Sequence, residues 1–326
     1  MSILDKLPRA ETADRKRILG ASEAAAVLGL DPRKSAFEVW AEKLEPEPAD
    51  KDAEVAVVLQ RGNYLEDGVR RWVGDLLKAE AVEAGPTLAQ PAIVRPDWPG
   101  VAVRPDGAFR LVGGELRLYE GKSAVWGDGW GDPGTDQVPT HTLIQAVVQL
   151  AVCDVAEVSI VSRVRDFFHA PEIYEIRRRR DVEDALRDRL CEWTLRHLVE
   201  GKAPQVDGSE ACRRHLYRAF PTLKAPARNA TAKEAAAIAR LADLKASIKA
   251  QESEAALLAN ELLAAAGESS GLLADAWKCT IVNVGGRRLL DQDRLKAEFP
   301  EVWEVCQKQG APSRYPRLFA RNGKGE

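Results

Sequence analysis

Between residues 20 and 80, apolar residues recur every three or four positions, the spacing of helices lying on a core. Ser22 is placed to cap a short helix from Glu23 to about Leu28, stopped by Gly29 and Asp31-Pro32. Ser35-Ala36-Phe37-Glu38 reads as a capping box that opens a second helix to about Leu44, ended by Pro46 and Pro48. The spacing predicts a longer helix over Ala53 to Lys78. Leu65, Val69, Trp72 and Leu76 form its core stripe, with Glu66 at the edge of that stripe.

From Ala92 the period shortens. Val101 to Phe109 and Glu115 to Lys122 read as two strands joined through Gly113-Gly114, a hairpin signal. A Gly/Trp-rich loop spans Trp126 to Asp136, and a helix follows from about Thr140 to Ala151. Val155 to Val164 and Pro171 to Arg177 read as two more strands. Asp181 then caps an amphipathic helix to about Glu200, with Leu186, Leu190, Trp193 and Leu198 on its apolar side.

The segment PTLKAPARNA, residues 221–230, is a linker by composition. Thr231 to Ala266 holds neither Gly nor Pro and predicts one long helix or a helical pair, closed by Gly267. A partial heptad runs through Ile238, Leu241, Ile248, Ala255 and Leu262. Lys245 and Glu252 interrupt it, which favours core packing within one chain over an extended coiled coil. A strand pair around Trp277–Val284 and Arg287–Leu290 and two short helices separated by Pro300 complete the pattern, and no internal repeat is visible. The expected organisation is a leader over 1–14, a main domain over 15–220, the linker, and a C-terminal helical and β-hairpin region over 231–326. The class is α/β: a mixed central sheet flanked by helices, with a mainly helical C-terminal appendage.

Composition narrows this further. The chain has 326 residues, 45% of them hydrophobic and 30% charged, which supports packed domains and excludes a disordered or collagen-like chain. The net charge of -3, without a polybasic tail, argues against non-specific wrapping of nucleic acid, although a local basic groove remains compatible with it. Five singly spaced cysteines without a C-x-x-C pair argue against a zinc ribbon or a cysteine-ligated cluster. They suit reduced, mostly buried thiols in a cytosol. The first ten residues lack an apolar signal-peptide core, and no run of about 18 apolar residues spans a membrane.

The informative chemistry lies in Glu66, Asp106 and Glu120-x-Lys122. Alternate strand residues share a face, so Leu116, Leu118, Glu120 and Lys122 point the same way. The apolar face therefore runs straight into a carboxylate and an ammonium. Burying them costs several kcal/mol unless a metal or partner satisfies them. Asp106 lies in Arg104-Pro105-Asp106-Gly107, where Pro105 removes a backbone donor and Gly107 permits an unusual dihedral, so the ladder is expected to loosen. A hairpin would bring Asp106 near Glu120. Converging carboxylates raise one another's proton affinity, and a divalent cation removes that penalty. Hard oxygen donors without His or Cys point to Mg²⁺ or Mn²⁺.

Pro105-Asp106 followed by Glu120-Gly121-Lys122 resembles the PD-(D/E)XK nuclease signature. Five ordered blocks resemble the YqaJ-like viral recombinase family, to which lambda exonuclease is related. They are Gly20-Ala21-Ser22-Glu23, Arg61-Gly62-Asn63-Tyr64-Leu65-Glu66, Arg104-Pro105-Asp106-Gly107, Glu120-Gly121-Lys122, and Gln145 to Val152 after Val138-Pro139. The resemblance covers about residues 10–208 and implies a PD-(D/E)XK restriction-endonuclease-like core. It implies one or two Mg²⁺ ions, replaceable by Mn²⁺, on Asp106, Glu120 and the Gly121 carbonyl, with a further carboxylate from Glu66. Lys122 would position or deprotonate the attacking water, and Gln145 or Gln149 would orient Lys122 or that water. Arg15 and Ser22 would grip a terminal 5′ phosphate, and Arg104 would contact phosphate or stay solvated.

By the same resemblance, the activity is exonucleolytic cleavage of linear duplex DNA from 5′ ends, leaving a 3′ single strand for a single-strand annealing protein. A homo-oligomer, such as a trimeric ring, in the cytoplasm of a bacterial cell or phage-infected host would go with it. Family members often carry two Gln residues two positions apart. Here Val147 fills the second position and Gln149 lies one turn beyond Gln145, so which Gln acts stays open. Blander readings stand beside these. Glu66 fits a solvated helix carboxylate, Pro-Asp-Gly fits a turn, Glu120 and Lys122 fit an ion pair, and Ser22 fits a cap alone. Arg177 to Arg180 fit either a DNA contact or a solvated face, and the tryptophans of the 126–130 loop fit either packing or a base-stacking platform. The alternative functions are another PD-(D/E)XK endonuclease or single-strand nuclease, and a non-catalytic protein that binds DNA ends.

Overall fold

A computed structural model describes residues 16–45, 53–81, 92–123, 129–166, 168–222, 224–283, 285, 290–307 and 316–318, with the backbone alone over 53–64. The chain divides into two compact units, Met1–Ala219 and Phe220–Glu326.

The first unit opens with a short strand, Leu19–Gly20 (β1), and a 3-10 turn, Ala21–Glu23, that leads into Ala24–Val27 (α1). Ser22 lies inside that turn and is exposed, so the expected N-cap at Ser22 is corrected. The side chain of Glu23 instead reaches back to accept the Gly20 N–H at 2.8 Å. The Ser35 capping box forms as expected: Glu38 N–H donates to Ser35 Oγ and Ser35 N–H donates to Glu38, opening Ala36–Leu44 (α2). Ala53–Leu77 (α3) follows, and the next elements are the short strands Glu80–Ala81 (β2) and Ile93–Val94 (β3).

The strand expected over 101–109 is two strands. Val101–Val103 (β4) lies between β1 and β3, whereas Gly107–Arg110 (β5) belongs to a second sheet. The break falls at Arg104-Pro105-Asp106, where proline cannot donate to a ladder. Gly107 needs no special dihedral, since it pairs in ordinary strand register with Tyr119. Leu116–Ser123 (β6) completes the hairpin through a turn in which Gly114 has φ +82°. After Thr140–Cys153 (α4) come Val158–Val164 (β7) and Glu172–Arg177 (β8). The order of the second sheet is β2-β5-β6-β7-β8; β6 and β7 run parallel and the other pairs antiparallel. Arg180–Trp193 (α5) continues through a π-helical segment, Thr194–Val199, and Glu210–Ala219 (α6) ends the unit.

Helices cover both faces of the central strands. Leu118 packs into the cluster that contains Ile144 and Val148 of α4. Phe109, Tyr119 and Ile160 pack with Val73 of α3. The expected α3 stripe is turned by about one position, roughly 100°. Val73 is fully buried with Val69 and Leu77 packed beside it, whereas Trp72 and Leu76 are 47% and 46% exposed. Gly74 explains the fit. A Cβ there would stand 3.2 Å from the Phe109 ring, so the glycine lets the helix lie close over the sheet. Glu66 then falls on the sheet-facing side with Val69, Arg70, Val73 and Leu77, rather than at its edge.

The second unit contains Ala232–Ala266 (α7), capped by Thr231 with Glu234 and closed by Gly267. Of α7, only Ala266 is buried, so the core packing expected along this helix is absent among the described residues. Gly271–Leu273 (β9) pairs antiparallel with Lys278–Thr280 (β10). The hairpin partner thus precedes the Trp277 strand instead of following it, and residues 286–289 lie outside the described ones. Gln292–Glu298 (α8) and Pro300–Cys306 (α9) are separated at Pro300 as expected, with proline in the first turn. All five cysteines are free. Cys153 and Cys212 are buried, Cys191 and Cys279 half-buried and Cys306 exposed, so the expectation of mostly buried thiols holds for two. Among the described residues, no helix is long and apolar enough to cross a membrane.

Candidate active site

The site forms where β6, β7 and α4 meet, at the C-terminal end of the parallel pair. Side-chain alternation aims Glu120 and Lys122 at α4 and Tyr119 at α3. Glu120 is only 4% exposed, yet both of its oxygens are satisfied. Its Oε1 accepts from Lys122 Nζ at 2.7 Å and from Gln145 Nε2 at 2.6 Å, and its Oε2 accepts from Gln149 Nε2 at 2.7 Å. Gln145 also accepts from Lys122 Nζ at 2.9 Å, so one amide links the carboxylate to the ammonium. The two glutamines stand one helical turn apart on α4 and converge on a single carboxylate. Gln145 touches both Glu120 and Lys122, whereas Gln149 touches Glu120 and, at 3.4 Å, the Arg104 carbonyl.

Asp106 enters from the break between β4 and β5. Its Oδ2 accepts the Gly121 N–H at 2.8 Å. Burial first, and then the charges of Glu120 and Glu66, push its carboxyl well above the ordinary range, against the opposing influence of Gly121 N–H and Lys122. The structure thus gathers Asp106, Glu120, Gly121, Lys122, Gln145 and Gln149, and sets Glu66 within electrostatic reach of Asp106. Among the described residues, no three His, Cys, Asp or Glu side chains form a ready metal cage. Arg104 is half-buried beside the site. Arg15 and Trp126 lie outside the described residues.

The donor chemistry still fits a hard cation. Asp106, half-buried, and Glu120, buried, are carboxylates that oppose each other's charge, and no softer donor stands among them. Mg²⁺ keeps several waters and takes one or two protein carboxylates, so this pair meets its requirement without a third.

One residue of the site went unnoticed in the sequence. Arg70 is buried and donates to the Asp106 carbonyl at 2.9 Å and to Asp67 at 2.6 Å, fixing the backbone that carries Asp106. Its signal was an arginine one turn after Glu66, between Val69 and Val73 on the sheet face. His141 precedes Gln145 by one turn. Burial, followed by the Arg33 charge, lowers its proton affinity; Asp31 opposes that and Lys122 adds to it.

The arginine run at 177–180 is largely ion-paired. Arg178 bonds Asp154 and, at 2.5 Å, Glu183; Arg179 pairs with Asp181 and Arg180 with Glu157. It sits at the end of β8 opposite the site, because β8 runs antiparallel to β7. In the 129–137 loop, Trp130 packs 5.0 Å from Tyr174, with the Arg163 guanidinium 5.1 Å over its ring.

Residues 12–156 match the model of the family described as YqaJ-like viral recombinase domain. The uncharacterized protein YqaJ of Bacillus subtilis strain 168 is 25% identical over 308 residues, covering 91% of this chain and 89% of that protein. Among solved structures, the alkaline exonuclease LHK-Exo of Laribacter hongkongensis is 19% identical with a TM-score of 0.43, covering 58% of this chain and 91% of the other. LHK-Exo in complex with dAMP gives 20% identity and a TM-score of 0.42, covering 64% and 95%. The matched segment takes in Glu66, Asp106, Glu120, Lys122 and both glutamines. The match to the YqaJ-like viral recombinase domain model thus spans somewhat less than half of the chain, and it is this family that residues 12–156 resemble.

Proposed function

We propose that the protein is a Mg²⁺-dependent exonuclease that hydrolyses linear duplex DNA from 5′ ends and leaves 3′ single-stranded overhangs for phage-type homologous recombination. The observation that carries this reading is the cluster of Asp106, Glu120 and Lys122 tied together by Gln145 and the Gly121 N–H. Asp106 and Glu120 would hold one or two Mg²⁺ or Mn²⁺ ions, with the Gly121 carbonyl and Glu66 as further oxygens. A bound ion would polarise the scissile phosphate and offset charge on the leaving 3′ oxygen.

The chain's own groups do the positioning. A lysine ammonium has three N–H donors. Lys122 directs donors to Glu120 and Gln145, leaving one for a phosphate oxygen or the attacking water. Gln145 holds that amine in one orientation, because its own amide is fixed at both ends. Gln149 holds Glu120 from the other side by donating to its second oxygen. Arg15 and Ser22 are our candidates for gripping a terminal 5′ phosphate, with Arg104 as a further phosphate contact. The 3′ strand would pass to a single-strand annealing protein. A homo-oligomer, such as a trimeric ring, and a cytoplasmic location belong to the same reading.

The test incubates linear duplexes, with and without a 5′ phosphate, with the protein and Mg²⁺ or Mn²⁺. Release of mononucleotides from the 5′ strand, faster from phosphorylated ends, is expected. Lys122→Ala should abolish release while DNA binding stays close to wild type, because the lost contact acts on the rate. Intact linear duplex with either ion would refute the reading, and nicking of closed circles would replace it with an endonuclease.

A further inference from the structure

The turn between β7 and β8 displays an aromatic ring for which the fold has no internal use. Phe168 is 91% exposed. It is not on a loose tip: Asp166 Oδ1 accepts the N–H groups of Phe168 at 2.8 Å and His169 at 3.0 Å, and the Asp166 carboxylate also meets His169 Nδ1. Arg165 braces the turn against Asp166 and Glu172, at 3.5 and 3.4 Å. Its place in the sheet gives the ring meaning. β7 runs parallel to β6 with Lys122 opposite Arg163 and Ser123 opposite Val164, so the turn projects from the end of the sheet that bears Lys122. Val112 is as exposed, at 90%, but sits in the β5–β6 turn at the other end.

We infer that Phe168 is a base-stacking contact for the DNA substrate close to the scissile phosphate. This rests on the exonuclease reading above. Phe168 lies four positions beyond Val164, a reach of at most about 14 Å, which is about four base pairs of duplex. A structured, solvent-facing ring offers its face to any base without choosing sequence, which suits an enzyme that must accept every nucleotide in turn. The flanking Arg165 places a cationic group beside the same strand.

The experiment uses full-length protein and linear duplexes carrying 5-iodouracil at one of the first six positions from the 5′ end, held uncut in Ca²⁺. Light should join the wild-type protein to the DNA at residue 168, identified by mass spectrometry, from one or more of about the first four positions. Phe168→Leu should lose that adduct and bind DNA roughly 5- to 150-fold more weakly, and Phe168→Trp should restore binding. Phe168→Leu binding and degrading DNA like the wild type would overturn the inference while leaving the nuclease assignment intact, and would point to a protein partner for the turn. Failure of the wild type to cut linear DNA in Mg²⁺ would instead overturn the functional reading, and this inference with it.

Discussion

Gln149→Met tests the site most directly without removing a charge. Gln149 is fully buried, and its amide supplies the hydrogen bond found at Glu120 Oε2, 2.7 Å long. A hydrogen bond to a charged group is worth about 1.5–3 kcal/mol. Methionine keeps the volume, so the packing cost stays below about 1.5 kcal/mol. The substitution also removes Gln149 Oε1, which is buried without a partner among the described residues, and that returns about 1 kcal/mol. The net loss is about 1–3 kcal/mol. For a unit of this size each kcal/mol lowers Tm by about 2–4 °C, so the variant in EDTA should melt roughly 2–12 °C below wild type. Mg²⁺ should narrow the gap, because a cation at Glu120 replaces the missing donor and stabilises whichever folded state binds it more tightly. Thermal unfolding with and without Mg²⁺ reads both effects. A Tm within about 1 °C of wild type in EDTA, or a gap that Mg²⁺ widens, would refute this account of Glu120.

Asp106→Asn should raise the Tm of the metal-free protein near pH 8. The folded state pushes the Asp106 carboxyl up by burial and by the Glu120 charge, so it binds a proton more tightly than the unfolded chain does. That contribution is complete below about pH 4 and is lost as pH rises through the raised value, so the gain from asparagine should shrink towards pH 4; an asparagine variant less stable than wild type at pH 8 in EDTA would contradict it. Gly100→Ala should destabilise by about 2–5 kcal/mol, because φ is +78° and a Cβ would stand 2.6 Å from Cγ2 of buried Thr194. Its Tm should fall by at least about 4 °C, and an unchanged Tm would show that the π-helical segment yields easily.

The parts of the fold written in local chemistry were legible. The Ser35 capping box, the Gly113-Gly114 hairpin and the Pro300 boundary each need only neighbours in sequence, and all three form. So was the heart of the site, because strand parity alone sets Glu120 and Lys122 on one face with Leu118. Which of the two glutamines acts is left open by the sequence, and the fold brings both to the same carboxylate. Spacing by a single turn lets Gln145 and Gln149 reach the two oxygens of the same carboxylate, each from its own level of α4.

What was hidden depends on what lies across from a side chain. Periodicity on α3 fits two faces about equally, one through Trp72 and Leu76 and one through Val69, Val73 and Leu77. Hydrophobicity favours the wrong one, since tryptophan is the larger apolar group. The choice is favoured by Phe109 on the sheet, against whose ring a Cβ at Gly74 would stand 3.2 Å away, a tight contact that glycine avoids. Once the helix is turned that way, Glu66 and Arg70 come with it. Arg70 fixes the Asp106 carbonyl, and Glu66 adds its charge to the field on the Asp106 carboxyl. A single glycine against a single ring therefore aligns a helix whose polar residues then serve the site. The same glycine makes the alignment testable from outside the site: filling it should shift α3 and loosen Arg70 before it touches Glu120 or Lys122.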